Sequence, residues 1–173
     1  MRGMLAAGCL LAVAACKPAP ESTPVEAGAP AEAAAAKPAG PLYVVDHYDP
    51  AADPEADLAR AVERATAENK RILLFTGGEW CVWCHYLEDV LDANASAHDA
   101  FAASFVVMKV NYSPENKNET FLSKYPPAEG YPDFQILESD GTFLAHQGTE
   151  PLEEGRSYNQ DRLVAFAEQW RKS

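Results

Sequence analysis

At 173 residues the chain has room for one ordinary domain with extensions. Its formal net charge of −12 repels phosphate backbones and sets nucleic acid aside as a partner; a surface rich in Asp and Glu is otherwise a solubility device. That charge belongs wholly to the part after residue 40, because Arg2, Lys17 and Lys37 cancel Glu21, Glu26 and Glu32 before it.

The chain opens on an export pattern. Arg2 supplies a short positive region, and Met4 to Ala15 is an unbroken apolar or small run too short to cross a bilayer. It ends Val13-Ala14-Ala15-Cys16, which resembles a bacterial lipobox, where small residues admit a signal peptidase just before a cysteine carrying a diacylglycerol. The resemblance implies a lipoprotein signal peptide over 1–15 and a lipid on Cys16, which anchors the mature protein to a membrane and turns it toward the periplasm. A non-lipidated secretory signal is the plainer alternative. Cys9 also follows small residues, but an apolar run ending there is very short. Lys17 stands where Asp would mark retention at the inner membrane, which leaves the outer membrane open as the anchor. Residues 16–40 are Ala, Pro and Glu with no large apolar residue except Val25; such a segment cannot bury enough surface to offset its ordering entropy, and it is expected to be a disordered tether.

The domain itself is expected over 41–173. Leu42 to Val45 reads as a short edge strand, and Pro50 and Pro54 break the chain after it. From Glu55, the apolar positions Leu58, Ala61, Val62 and Ala65 recur at helical spacing. Ile72-Leu73-Leu74-Phe75 is apolar without alternation, the pattern of a strand buried on both faces, and Gly77 and Gly78 end it. Next come Trp80-Cys81-Val82-Trp83-Cys84-His85 and a helical run in which Leu87, Val90 and Leu91 keep step with Cys84, turning Cys84 inward and Glu88, Asp89 and Asp92 away. A second helical patch, Ser96 to Phe101, leads into a strand from Phe105 to Val110. A short helix is expected over Glu119–Tyr125, before Pro126-Pro127. Phe134 and Ile136, the turn Ser139-Asp140-Gly141 and Phe143-Leu144-Ala145 make a hairpin. Asn159 is placed to cap a last helix with an apolar stripe of Leu163, Phe166, Ala167 and Trp170. Parallel strands with helical crossovers followed by an antiparallel pair predict an α/β domain: a central mixed sheet flanked by helices on both faces.

Two cysteines separated by two residues serve three chemistries: a redox disulfide, a metal site, or thioether attachment of haem, for which Cys81, Cys84 and His85 also have the spacing. With the leader cysteines set aside, Cys81 and Cys84 are the only pair left, and in an exported compartment so short a loop points to redox exchange rather than a staple. At a helix start, unpaired N–H groups and the helix dipole favour negative charge, so Cys81 is the expected nucleophile and Cys84 the resolving thiol. The haem reading wants a second axial ligand, and beyond the leader the only methionine is Met108. The metal reading, with the fold as a scaffold, wants a fourth ligand from His47, His98 or His146.

This order of elements, with Trp80-Cys81-x-x-Cys84 after a buried strand, Tyr131-Pro132 before a later one, and a terminal amphipathic helix, resembles the thioredoxin-like superfamily from about Leu42 to Lys172. Cys81-Val82-Trp83-Cys84-His85 is similar to the members whose motif reads C-x-W-C-H. The resemblance implies a thioredoxin fold and a thiol-disulfide oxidoreductase with no cofactor, acting on exported proteins with thiols or disulfides and served by a further redox partner. It implies a cis Pro132 whose neighbourhood, with Tyr131, holds an extended client chain. Trp80 and Trp83 are either an apolar collar for that client or packing beneath the loop, and His85 is either a support for the thiolate or a helical surface residue. Two positions depart from the thioredoxin pattern: Phe75 stands where a buried aspartate assists proton transfer, and Lys109 matches the family's lysine without its usual acidic partner, for which Glu79 is the substitute on sequence grounds. Val82-Trp83 replaces Gly-Pro, so the reduction potential, about −270 to −120 mV across this fold, does not transfer.

Overall fold

The computed structural model describes residues 41–173. The expected signal peptide, the lipid site at Cys16 and the tether lie outside the described residues.

Strand β1 (Tyr43–Val45) leads into helix α1 (Pro54–Glu68), which Asp53 caps by accepting from the amides of Glu55 and Ala56, with Pro54 in the first turn, where a missing N–H costs nothing. Asn69, in the left-handed region at φ 53°, ends it. Strand β2 (Arg71–Gly77) runs directly to helix α2 (Val82–Ala93), and Asn94 both ends α2 and caps α3 (Ala95–Ser104) by accepting from Ala97 N at 3.0 Å. Strand β3 (Phe105–Asn111), the short helix α4 (Glu119–Leu122) and the hairpin of β4 (Asp133–Leu137) and β5 (Phe143–Gly148) follow. Helix α5 (Gln160–Gln169) closes the chain, with Asn159 accepting from Arg162 N at 3.0 Å.

The sheet order is β1-β3-β2-β4-β5, parallel through β1, β3 and β2 and antiparallel through β4 and β5. This is the mixed sheet expected from the pattern, with β1 at an edge. From Ile72 to Phe75 the central strand has no polar face: Leu73 and Phe75 join one core with Leu87, Leu91 and the aromatic cluster of Phe101, Phe105, Phe134 and Phe166, while Ile72 and Leu74 join the other with Ala61, Ala65 and Met108. Each such Leu, Ile, Phe or Met side chain contributes about 1.5–3 kcal/mol on burial. Helices α2, α3 and α5 cover the first face; α1 and α4 cover the second. The sequence reading lacks one feature, a 3-10 turn (Glu150–Leu152) followed by a two-stranded ribbon of β6 (Glu153–Glu154) and β7 (Ser157–Tyr158), whose segments are too short to carry a periodic signal. Among the described residues no helix is long and apolar enough to cross a membrane.

Candidate active site

Cys81 is the N-cap of α2. Its backbone is extended (φ −88°, ψ 97°), and its sulfur accepts from Cys84 N at 3.1 Å, doing for this helix what a serine or aspartate oxygen does elsewhere. The two sulfurs are bonded at 2.09 Å, with the α-carbons 5.2 Å apart. Cys81 keeps 3 % exposure and Cys84 none, so an incoming sulfur meets Cys81 first. In the reduced pair the same amide and the aligned peptide dipoles stabilise negative charge on Cys81, and α2 carries no acidic residue in its first turn to oppose them.

The floor of the site is tight. A Cβ on Gly77 would stand 2.5 Å from Cys84 Sγ and 2.9 Å from the Tyr48 hydroxyl oxygen, so glycine lets β2 pass directly beneath the disulfide. The Tyr48 hydroxyl is buried with no hydrogen-bond partner. Burial pushes its pKa well above the usual range, so it keeps its proton beside Gly77. Phe75 is fully apolar in its surroundings, edge-on to Phe134 at 5.3 Å and to Tyr48 at 6.1 Å.

Lys109 finds an acidic partner, and it is Glu88 rather than Glu79. Lys109 Nζ is 3.0 Å from Glu88 Oε1, donates to the Asp46 carbonyl at 2.6 Å, and lies 5.2 Å from the ring centres of Tyr43 and Tyr48. The helical spacing that turns Glu88 outward is thereby corrected: its side chain is only 20 % exposed, because the buried ammonium draws it under the helix. Glu88 Oε1 receives no well-aligned hydrogen bond, so the contact is an ion pair. Glu79 is exposed, and its carbonyl lies 2.9 Å from His85 Nε2, while His85 Nδ1 lies 3.7 Å from Glu88 Oε2.

The rim is aromatic. Trp80, 53 % exposed, donates from Nε1 to the Tyr112 carbonyl at 2.7 Å and meets Tyr131 edge-on at 5.5 Å. Tyr131 stacks on Tyr112 at 4.9 Å, and the Tyr131-Pro132 bond is cis. Trp83 turns the other way, half-buried between Tyr86 and Tyr158 at 5.6 and 5.9 Å. The structure thus brings Trp80, Cys81, Cys84, Tyr131 and Pro132 to one end of the sheet and sets Trp83 beside α2. Tyr48 is a site residue that sequence reading missed; it stands in an irregular segment with no pattern to mark it.

Neither alternative chemistry gains support from these placements. Met108 lies on the sheet face opposite the cysteines, among Ile72, Leu74 and Val110, out of line for an iron held by His85. His47, His98 and His146 sit beside Asp46, Asp99 and Asp133, and among the described residues no three His, Cys, Asp or Glu side chains converge as metal ligands. A depression of about 560 Å³ bordered by Glu55, Asn116 and Lys117 contains neither sulfur.

A cysteine pair at a helix start, above a mixed sheet whose antiparallel arm is entered through a cis proline at the same end, has the arrangement of a thioredoxin-type site. The profile of the family described as thioredoxin-like matches residues 53–139, and the chain belongs to that family. Among known proteins it is similar to the disulfide bond reductase DsbH of Chlamydia pneumoniae, 31 % identical over 102 residues that span 54 % of this chain and 61 % of that one. Among solved structures it resembles a disulphide isomerase from Xylella fastidiosa Temecula1 (TM-score 0.61, 24 % identity, 70 % of this chain and 94 % of that one). It also resembles the oxidised C-terminal domain of DsbD from Neisseria meningitidis (TM-score 0.51, 21 % identity, 69 % of this chain and 97 % of that one). These structural likenesses establish the thioredoxin fold.

Proposed function

We propose that the protein is a thiol-disulfide oxidoreductase of the bacterial cell envelope, held to a membrane by lipid on Cys16 and acting in the periplasm on exported proteins through the Cys81/Cys84 couple. The observation that carries the reading is the Cys81 sulfur at the cap of α2, hydrogen-bonded to Cys84 N and joined to a sulfur one turn below it. The Cys81 thiolate attacks one sulfur of a client disulfide, forming a mixed disulfide and expelling the other client sulfur as a thiolate, which takes a proton from solvent. Cys84, as thiolate, then attacks Cys81 Sγ; the enzyme disulfide forms and the second client thiolate leaves. Two electrons pass from the dithiol to the client, and a separate redox partner restores the dithiol.

The name of the Chlamydia pneumoniae relative supports this reducing direction. Trp80, Tyr131 and Pro132 are the residues proposed to hold the client. Trp83 is proposed to act only through the packing of α2, since its ring faces Tyr86 and Tyr158. The test is trapping: Cys84→Ser is expected to accumulate mixed disulfides with envelope proteins and Cys81→Ser none, and equal absence from both, with a wild type that exchanges no model disulfide, overturns catalysis. Equilibration of the couple with glutathione decides direction; a potential near about −270 mV fits reduction and one near about −120 mV overturns it.

A further inference from the structure

At the same end of the sheet, on the face opposite the cysteines, a cavity of about 320 Å³ opens beneath α4 and the Pro126-Pro127 loop. It is near the lower end of small-ligand pockets, about 300–1,000 Å³, which suits one long side chain rather than a second chain segment. Its floor is polar. Thr76, paired across the sheet with Asp133, and Gln135, paired with Leu74, line it from the sheet side, each 2 % exposed. The Gln135 amide is pinned, because Nε2 donates to Asp133 Oδ2 at 2.8 Å and to the Pro126 carbonyl at 3.2 Å, and this turns Oε1 away with no partner. Thr76 Oγ1 is likewise buried and unpartnered. Leaving such groups unsatisfied is unfavourable, so the polar floor favours an occupant that donates hydrogen bonds over an apolar one.

Charge and walls narrow the choice. Glu119 and Lys117 line the cavity with opposite charges, and Asp133 is already engaged by His146 at 2.6 Å, so no net positive charge is present to draw an anion, and an apolar occupant would leave Oε1 and Oγ1 unpaired. Tyr112, Tyr125 and Tyr131 supply aromatic faces of the kind that attract an ammonium or guanidinium. Tyr131 also touches Trp80, the residue before Cys81, so a single ring borders both the cavity and the rim of the disulfide.

We infer that this cavity is a specificity subsite for a lysine or arginine side chain of the client, a few residues from the client cysteine in exchange with Cys81. The inference rests on the exchange chemistry proposed above. The subsite selects among clients by holding the cation between the tyrosines, above the polar floor of Gln135 and Thr76.

The test uses the reduced full-length chain and short cysteine peptides carried as mixed disulfides with 5-thio-2-nitrobenzoate, whose release is coloured. Lysine, norleucine or glutamate is placed in turn at each of the four positions flanking the cysteine on either side. At one or two positions the lysine peptide is expected to react about tenfold faster than its norleucine counterpart. That ratio is expected to fall to about one in Thr76→Val, which removes no charge, and to fall several-fold in the surface variant Glu119→Gln; far-UV dichroism confirms that both variants are folded. A lysine advantage that is equal at every position and survives Thr76→Val is general attraction to an acidic protein and overturns the subsite, as do equal rates throughout, which assign the cavity to water. If no peptide releases colour, the exchange chemistry fails and the subsite with it.

Discussion

Lys109 Nζ on β3 and Glu88 Oε1 on α2 meet at 3.0 Å under the helix that begins at the disulfide, the ammonium 7 % and the carboxylate 20 % exposed. The pair puts a charge-neutral unit beside Tyr43 and Tyr48, where either charge alone would lose its nearest opposite charge. Lys109→Met is therefore expected to lower stability by about 2 kcal/mol, because it leaves a carboxylate with little water and only the more distant His85 beside it. Adding Glu88→Leu should restore part of the loss. Urea unfolding of both single variants and the double variant measures the coupling, and strictly additive effects would count against a functional ion pair.

Gly77 should tolerate no side chain. An added Cβ meets the buried Cys84 sulfur and the buried Tyr48 hydroxyl, neither of which is the free end of a flexible chain, so Gly77→Ala is expected to cost about 2 kcal/mol. Gly148→Ala is the comparison, since nothing stands within 4 Å of its Cβ position; a change within about 0.5 kcal/mol is expected there. Thermal and urea midpoints of the two variants decide the matter.

The acid limb of stability should depend on Glu68. Burial, the largest single influence, pushes its carboxyl upward, but hydrogen bonds and charges from Arg64 and Lys70 together outweigh it and hold the group below the usual carboxylate range. A carboxyl whose folded pKa is lowered adds stability that is fully present above its unfolded value, about 4.3, and is lost as pH falls through the folded value. Glu68→Gln should thus be less stable than wild type at neutral pH and lose less on acidification. Urea midpoints at pH 7 and near pH 3 compare the two, and parallel losses would contradict the assignment.

The two tryptophans should separate client contact from packing. Trp80→Ala removes an exposed ring and one hydrogen bond, so stability should fall by no more than about 1 kcal/mol while the yield of mixed disulfides trapped in a Cys84→Ser background drops. Trp83→Ala empties a half-buried space between Tyr86 and Tyr158 and should cost about 2 kcal/mol. Denaturation midpoints set beside trapping yields check both, and a Trp80 variant that traps as well as the parent would remove that ring from the client site.

The amino-acid sequence by itself determined the order of elements apart from the β6–β7 ribbon and the turn before it, the doubly buried central strand and the cysteine at a helix start. Unbroken apolar runs, the Asn159 and glycine signals and the Trp80-Cys81-x-x-Cys84 spacing are local patterns that need no partner to be read. Only the tertiary structure decided which groups stand behind the sulfur. Tyr48 is 36 residues from Cys84 in sequence and Lys109 is 21 from Glu88, and no periodicity records that β3 brings an ammonium beneath α2 or that an irregular segment lays a hydroxyl beside Gly77. Helical spacing assigns Glu88 to the solvent side because it counts turns and not the charge of the strand below; a buried cation outweighs the pattern. The cavity beyond Tyr131 belongs to the same class, since its floor exists only where β2 and β4 pair and leave two polar side chains unanswered.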